Sequence, residues 1–222
     1  MNILAISTSG RAASAAFIRD GKSLSLAVSD NGLTHSETIM PLVDSLFEKN
    51  APFAFDETDA FAADVGPGSF TGVRIGVCIA NAFAAATGKP VVGISALTAL
   101  ARAASEENAV CALIDARHGN AYAAVYRGAE ELLAPCAVTV EQLLPLVPQD
   151  ALFTGDGAEA YREEICAALP SARFAKTDKT VLRADMLALP AFEALRRSLG
   201  EREVMPLYLR PSQAERLYKE KV

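Results

Sequence analysis

The run Gly66-Pro67-Gly68-Ser69-Phe70-Thr71-Gly72-Val73-Arg74-Ile75-Gly76-Val77 puts small residues and hydroxyls where a short apolar strand, Phe61 to Val65, turns into a helix. A helix start leaves its first N–H groups unpaired, so a loop built from Gly66, Pro67, Gly68, Ser69 and Thr71 has the composition to cradle a phosphate. It lacks the Gly-Lys-Ser/Thr ending of a P-loop and the spacing of a dinucleotide fingerprint. A tight strand-to-helix turn with close packing explains the same residues. Beyond the loop, Gly72, Gly76, Ala80 and Ala84 recur every four positions, with Ile75, Ile79 and Phe83 as a bulky stripe beside them. This spacing predicts a helix with a flat face against which another backbone lies.

The remaining chemistry-bearing residues are sparse. The chain has two histidines, and neither has a second histidine at helical spacing; four residues after His35 stands Ile39. His35 reads as a polar contact at a helix start or as a partner contact, and His118 as a turn residue. Cys78, Cys111, Cys136 and Cys166 are scattered singly in apolar contexts, which suits buried thiols rather than a zinc knuckle. No metal site is visible. Thr8 and Ser9 can hydrogen-bond a phosphate and Asp115 can supply an acid, although ordinary turn chemistry accounts for all three. Ser69 or Cys78 can be nominated as a nucleophile, but nothing in the sequence places a histidine and an acid beside either.

The elements that must position these groups follow from periodicity. Residues 3–7, 13–19 and 23–29 read as strands, with Asp20-Gly21 as the hairpin turn between the second and third. Thr34-His35-Ser36-Glu37 is a capping-box pattern ahead of Ile39, Leu42, Val43, Leu46 and Phe47 at helical spacing. Pro41 falls inside that span, so the first turn is expected near Ser36 or Thr38. After the flat-faced helix come a strand at 91–94 and a helix at 97–104. Strands at 109–114, 121–126 and near 132–134 then repeat the opening meander, followed by a second capping box at Thr139 to Gln142, a strand at 151–154, and a helix carrying Tyr161, Ile165 and Leu169. A strand at 204–209, a stop at Pro211 and a capped helix from Ser212 end the chain.

With 222 residues, 51% of them hydrophobic, the chain can bury a substantial core in one large or two small lobes. The duplicated meander points to an α/β chain of the actin-like ATPase (ASKHA, ribonuclease H-like) class, two related lobes each opening with a three-stranded meander. The lobes are expected at 1–104 and 105–204, with 205–222 returning to the first. The net charge is −6, of which residues 196–222 carry +3, so the chain by itself is a poor nucleic-acid binder. No basic, apolar leader opens it and no run of about 18 apolar residues occurs, because Asn81 interrupts the longest; a cytoplasmic protein without a membrane span is expected.

At these residues the chain resembles the TsaB (YeaZ) family. The resemblance rests on Ile3 to Ser9, His35-Ser36-Glu37, Gly66 to Gly76, Gly93 to Leu97, Asp115-Ala116-Arg117 with Gly119, and Pro206 to Arg210. It implies a non-catalytic partner of the paralogue TsaD, which transfers threonylcarbamoyl to adenosine next to the tRNA anticodon. It also implies the ATPase TsaE as a third partner, contact with tRNA only through the complex, and homodimerisation in isolation. The pairing surface it implies lies on the two helices, at His35, Ile39, Val43, Phe70, Gly72, Val73, Gly76 and Ala80. In the paralogue a His-x-x-x-His metal pair follows the strand after the Gly-rich helix; here alanine and leucine stand there, and neither offers a lone pair. Relatives often carry an aspartate at the end of the first strand, where this chain has Ser7. No cofactor is therefore expected on the chain alone, with ATP or ADP placed at the joint with the paralogue. A stand-alone kinase or glycoprotease-like peptidase of the same fold is the alternative.

Overall fold

The computed structural model describes residues 1–30, 34–48 and 53–210. Strands β1 (Asn2–Ser7), β2 (Ala13–Arg19) and β3 (Lys22–Ser29) form an antiparallel meander. Asp20 and Gly21, at φ 50° and 76°, make the left-handed turn that a two-residue hairpin requires. Helix α1 (His35–Leu46) starts at the capping box, where the Thr34 backbone N–H donates to Glu37 Oε2 at 3.1 Å. It begins at His35, ahead of the expected start, and runs straight through Pro41. Strand β4 (Ala60–Asp64), helix α2 (Phe70–Thr87), β5 (Val91–Ile94) and α3 (Ala96–Ala104) follow. Gly88, at φ 70°, stops α2 in the left-handed cap typical of glycine.

The second copy consists of β6 (Ala109–Asp115), β7 (Asn120–Arg127), β8 (Glu130–Thr139), α4 (Val140–Leu143), β9 (Leu152–Thr154), α5 (Asp156–Ala160), α6 (Arg162–Ala168) and β10 (Arg173–Phe174). The sheets run β3-β2-β1-β4-β5 and β8-β7-β6-β9-β10, the same order with the same mixture of antiparallel meander and parallel crossover strands. The duplicated two-lobe α/β architecture is therefore present, and with it the actin-like class.

Among the described residues three apolar cores stack through the molecule. One joins α1 and α2 to the outer face of the first sheet through Leu4, Ile6, Ile39, Val43, Phe61, Val73 and Val77. A second lies between the two sheets around α3. The third packs α4 to α6 on the second sheet. Helix α7 (Ala188–Arg196) belongs to the middle core.

Three expectations need correction. The helix carrying Tyr161 is two helices, broken at Tyr161 (φ −113°, ψ 24°), whose hydroxyl is drawn to Asp115 and Asn120. Residues 204–209 form no strand; Pro206 removes a donor, and what remains is one bridge, Val91 with Glu201, and single bonds such as Leu207 N to Val65 O at 2.8 Å. The return to the first lobe also begins earlier than residue 205. The turn at 184–187 and α7 pack on β1, β2 and β3, and the Ala184 N–H donates to buried Ser14 Oγ at 2.9 Å. The first lobe is thus discontinuous, with the second inserted into it. The helix expected from Ser212 lies outside the described residues.

Candidate functional site

The first strand ends at Ser7 and the chain runs on through Thr8 and Ser9; all three are buried, and an acid that no sequence motif marks organises them. Asp64 closes β4, the parallel neighbour of β1, and is 1% exposed. Its Oδ2 accepts from Ser7 Oγ at 2.9 Å and from Ser9 N at 3.3 Å, and its Oδ1 accepts from Gly66 N at 2.9 Å. Burial pushes its carboxyl above the usual carboxylate range, and the hydrogen bonds from Ser9, Gly66 and Ser7 oppose that shift. The carboxylate thus ties the end of β1 to the start of the Gly-rich loop.

The loop and the glycine stripe serve the same junction. Ser69 Oγ caps α2 by accepting from Gly72 N at 3.2 Å, and Ser69 N donates to Ser9 O at 2.8 Å. Thr8 Oγ1 donates to Gly72 O at 2.7 Å. A Cβ on Gly72 would collide with the Thr8 carbonyl, one on Gly76 would meet Thr8 Oγ1 at 2.5 Å, and one on Gly68 would meet Ser9 O at 2.5 Å. The backbone that lies against the bare stripe is therefore the protein's own β1 extension. Gly72, Val73, Gly76, Ala80, Ile39 and Val43 are buried in the first core, so the pairing surface expected at these six positions is corrected: none of them faces outward. Phe70, 36% exposed, remains at the surface. His35 is half-buried, with Nε2 at 3.0 Å from Gly10 O.

Thr8, already bonded to α2, is not free to hold a ligand. Ser9 Oγ has no hydrogen-bond partner among the described residues, and Ser9 lines a cavity of about 150 Å³ between the lobes. Arg11, Pro67, Leu100, Asp156 and Leu182 line it too. Asp115 does not line it. Its Oδ1 accepts from Tyr161 OH at 2.7 Å and from Arg117 N at 2.7 Å. Burial first, then the bond to Asp115, pushes the Tyr161 hydroxyl up to about 12. Asp156, also missed in the sequence, accepts from Asp115 N at 3.1 Å through Oδ1, and burial raises its carboxyl. It stands to β6 as Asp64 stands to β1. Among the described residues no group of three or more His, Cys, Asp or Glu side chains is placed to hold a metal ion.

The outward face of α2 presents Arg74, Cys78, Ala82, Ala85 and Ala86 exposed, with Ile75 and Ile79 half-covered; Cys78 and Cys166 are thus exposed, against the expectation of buried thiols, and only Cys111 is fully buried. A third of this apolar helix is buried. At its start Phe70 stacks on Tyr208 (centroids 4.5 Å apart), and Arg74, 4.1 Å from the Phe70 ring centroid, donates from Nε to Tyr208 OH at 2.8 Å. Met40 on α1 and Met205 are exposed as well.

The family model "TsaD: tRNA N6-adenosine threonylcarbamoyltransferase" matches residues 31–218. The tRNA threonylcarbamoyladenosine biosynthesis protein TsaB of Haemophilus influenzae is 32% identical over 95% of this chain and 94% of its own length. Among solved structures, YeaZ from Pseudomonas aeruginosa superposes with a TM-score of 0.76 at 31% identity, covering 94% of this chain and 99% of that one. The activator of 2-hydroxyisocaproyl-CoA dehydratase from Clostridium difficile, solved with bound ADPNP, shares the fold alone, at 10% identity and a TM-score of 0.55 over 94% of this chain and all of that one. With the duplicated sheets, the Gly-Pro-Gly-Ser-Phe-Thr-Gly junction and a match along nearly its whole length, the chain belongs to the TsaB (YeaZ) family of tRNA threonylcarbamoyladenosine biosynthesis proteins.

Proposed function

We propose that this chain is the non-catalytic subunit that docks a TsaD-type paralogue through the outward face of α2 and supports threonylcarbamoyl transfer to adenosine beside the tRNA anticodon. The observation that carries the proposal is the composition of that face. Cys78, Ala82 and Ala86, with Ile75 and Ile79 between them, leave an apolar ridge on a helix otherwise seated on β1 and β4. Contiguous exposed apolar surface marks an interaction site. The same ridge is the surface for self-association in isolation, and the ATPase TsaE joins at the assembled pair.

The non-catalytic reading draws on the site. The inter-lobe cavity, at about 150 Å³, is smaller than the ~300–1,000 Å³ of ordinary ligand pockets. Ser7 stands where a carboxylate would have positioned a metal-bound nucleotide, and Asp64 is used internally. No nucleotide is held by the chain alone, and ATP or ADP belongs to the complex. The test is reconstitution: the chain should co-purify with its TsaD-type paralogue and be required for threonylcarbamoyl transfer to a tRNA transcript, while showing no ATP hydrolysis by itself. Transfer at full rate without the chain, or ATP turnover by the isolated chain, refutes the proposal.

A further inference from the structure

The connection between β6 and β7 carries three consecutive left-handed residues, Arg117 (φ 66°), His118 (φ 54°) and Gly119 (φ 71°). A non-glycine residue in this conformation is strained, and two in a row persist only where their surroundings hold them. The holding groups are all present. Arg117 N donates to Asp115 Oδ1, and Asn120 Nδ2 donates to His118 O at 2.9 Å and to Arg117 O at 3.3 Å. Tyr161 OH bonds both Asp115 and the Asn120 carbonyl, and Arg210 Nη2 donates to Asn120 Oδ1 at 3.2 Å.

Asp115, Asn120, Tyr161 and Arg210 are thus engaged in fixing the turn, whereas the side chains of Arg117 and His118 are exposed and make no hydrogen bond or ion pair among the described residues. The acids near the support are Asp115, already bonded, Asp156, which accepts from Asp115 N, and Glu164 by Tyr161. Between Asp115 and Asn120 there is no large apolar side chain, so the tip lacks the apolar centre of a protein interface. Its place matters too. Arg210 follows by two residues Tyr208, which stacks on Phe70 at the start of α2, and two residues span about 7 Å. Through Arg210 the tip is tied to the segment that packs on the start of α2.

We propose that Arg117 and His118 form a preset contact to backbone phosphates of the tRNA bound by the assembled complex. This rests on the functional reading above and adds to it the side from which RNA meets this subunit. A rigidly presented guanidinium suits phosphate geometry, and one or two such contacts set register rather than carry affinity, in keeping with a chain of net charge −6.

The test is binding of an unmodified tRNA transcript to the reconstituted complex, measured between about 50 and 200 mM salt. Arg117→Asn, whose side chain tolerates the left-handed backbone, should weaken binding roughly 3- to 10-fold and reduce the slope of log affinity against log salt by about 0.7–0.9. Arg117→Lys should restore most of the loss, and subunit co-purification should be unchanged in both. If Arg117→Asn lowers the melting temperature, Arg117→Gly, which relieves the left-handed strain, carries the same expectation. Wild-type affinity and salt slope in the Arg117→Asn, His118→Asn double variant overturn the proposal, as does loss of subunit assembly with tRNA affinity per complex intact, which makes the tip a protein contact. A wild-type pair that fails to assemble or to bind tRNA sinks the functional reading and this proposal together; a fault confined to the variants' predicted loss sinks only this one.

Discussion

Ser7 Oγ and the Asp64 carboxylate meet at 2.9 Å on neighbouring parallel strands, in a spot where neither is open to solvent. A buried carboxylate that accepts three hydrogen bonds is costly to delete, because Ser7, Ser9 N and Gly66 N lose their acceptor together. Asp64→Ala should destabilise the fold by about 2–4 kcal/mol, read from the midpoint of denaturant unfolding.

The same carboxyl gives a pH signature. Its folded value lies above its unfolded one, so the native state holds the proton more tightly. Its contribution to stability is complete below the unfolded value and is lost as pH rises through the folded value. Urea unfolding of wild type and Asp64→Asn across that window should show a downward slope with rising pH in the wild type that is missing from the variant; parallel curves contradict it.

Glu193 should behave in the opposite sense. Arg102, 6% exposed in its side chain, donates to both oxygens of Glu193 at 3.0 Å, tying α3 to α7, and those bonds hold the Glu193 carboxyl below its usual range. Its contribution is present above the unfolded value and lost as pH falls through the folded one. Because Glu193 is a third exposed, Glu193→Gln should cost only about 1–2 kcal/mol at neutral pH, with the difference from wild type shrinking in acid, as thermal melts can follow.

Gly76→Ala should weaken the monomer itself. The added methyl meets Thr8 Oγ1, and overpacking of this kind costs about 1–3 kcal/mol, a fall of roughly 2–12 °C in melting temperature for a chain of this size. An unchanged melting temperature would show that β1 yields without cost.

Ala82→Arg and Cys78→Arg probe the other side of the same helix. Both positions are exposed, so the monomer should melt within about 2 °C of wild type. Pull-down of the TsaD-type paralogue should drop at least about tenfold, since each variant sets a charge into an apolar contact. Retained pull-down would move the docking surface elsewhere.

The two faces of α2 illustrate what sequence can and cannot carry. Gly72, Gly76 and Ala80 announce that some backbone comes close, but spacing alone does not tell a neighbour's helix from the protein's own first strand. The meander, the capping box at Thr34 and the Thr139 cap, which here lacks the reciprocal Gln142 bond, were legible because their hydrogen bonds are local in sequence. Asp64 was not, since a carboxylate ending an apolar strand looks like a strand terminus until β1 is laid beside it. Asp156 offered a signal: aligning the two copies sets Asp64 at the end of β4 and Asp156 two residues past the matching strand β9. The break at Tyr161 depends on Asp115 and Asn120, over forty residues away, and no local pattern encodes it.

The discontinuous first lobe has a bearing on how the chain comes off the ribosome. Strands β6 to β10 are contiguous from residue 109 to 174, whereas β5 waits for Glu201 and the Gly-rich loop for Leu207. The later half can therefore complete its structure while the earlier half is still open, reversing the usual amino-to-carboxyl order of maturation. Loss of the closing segment would strand a finished insert on an unfinished host.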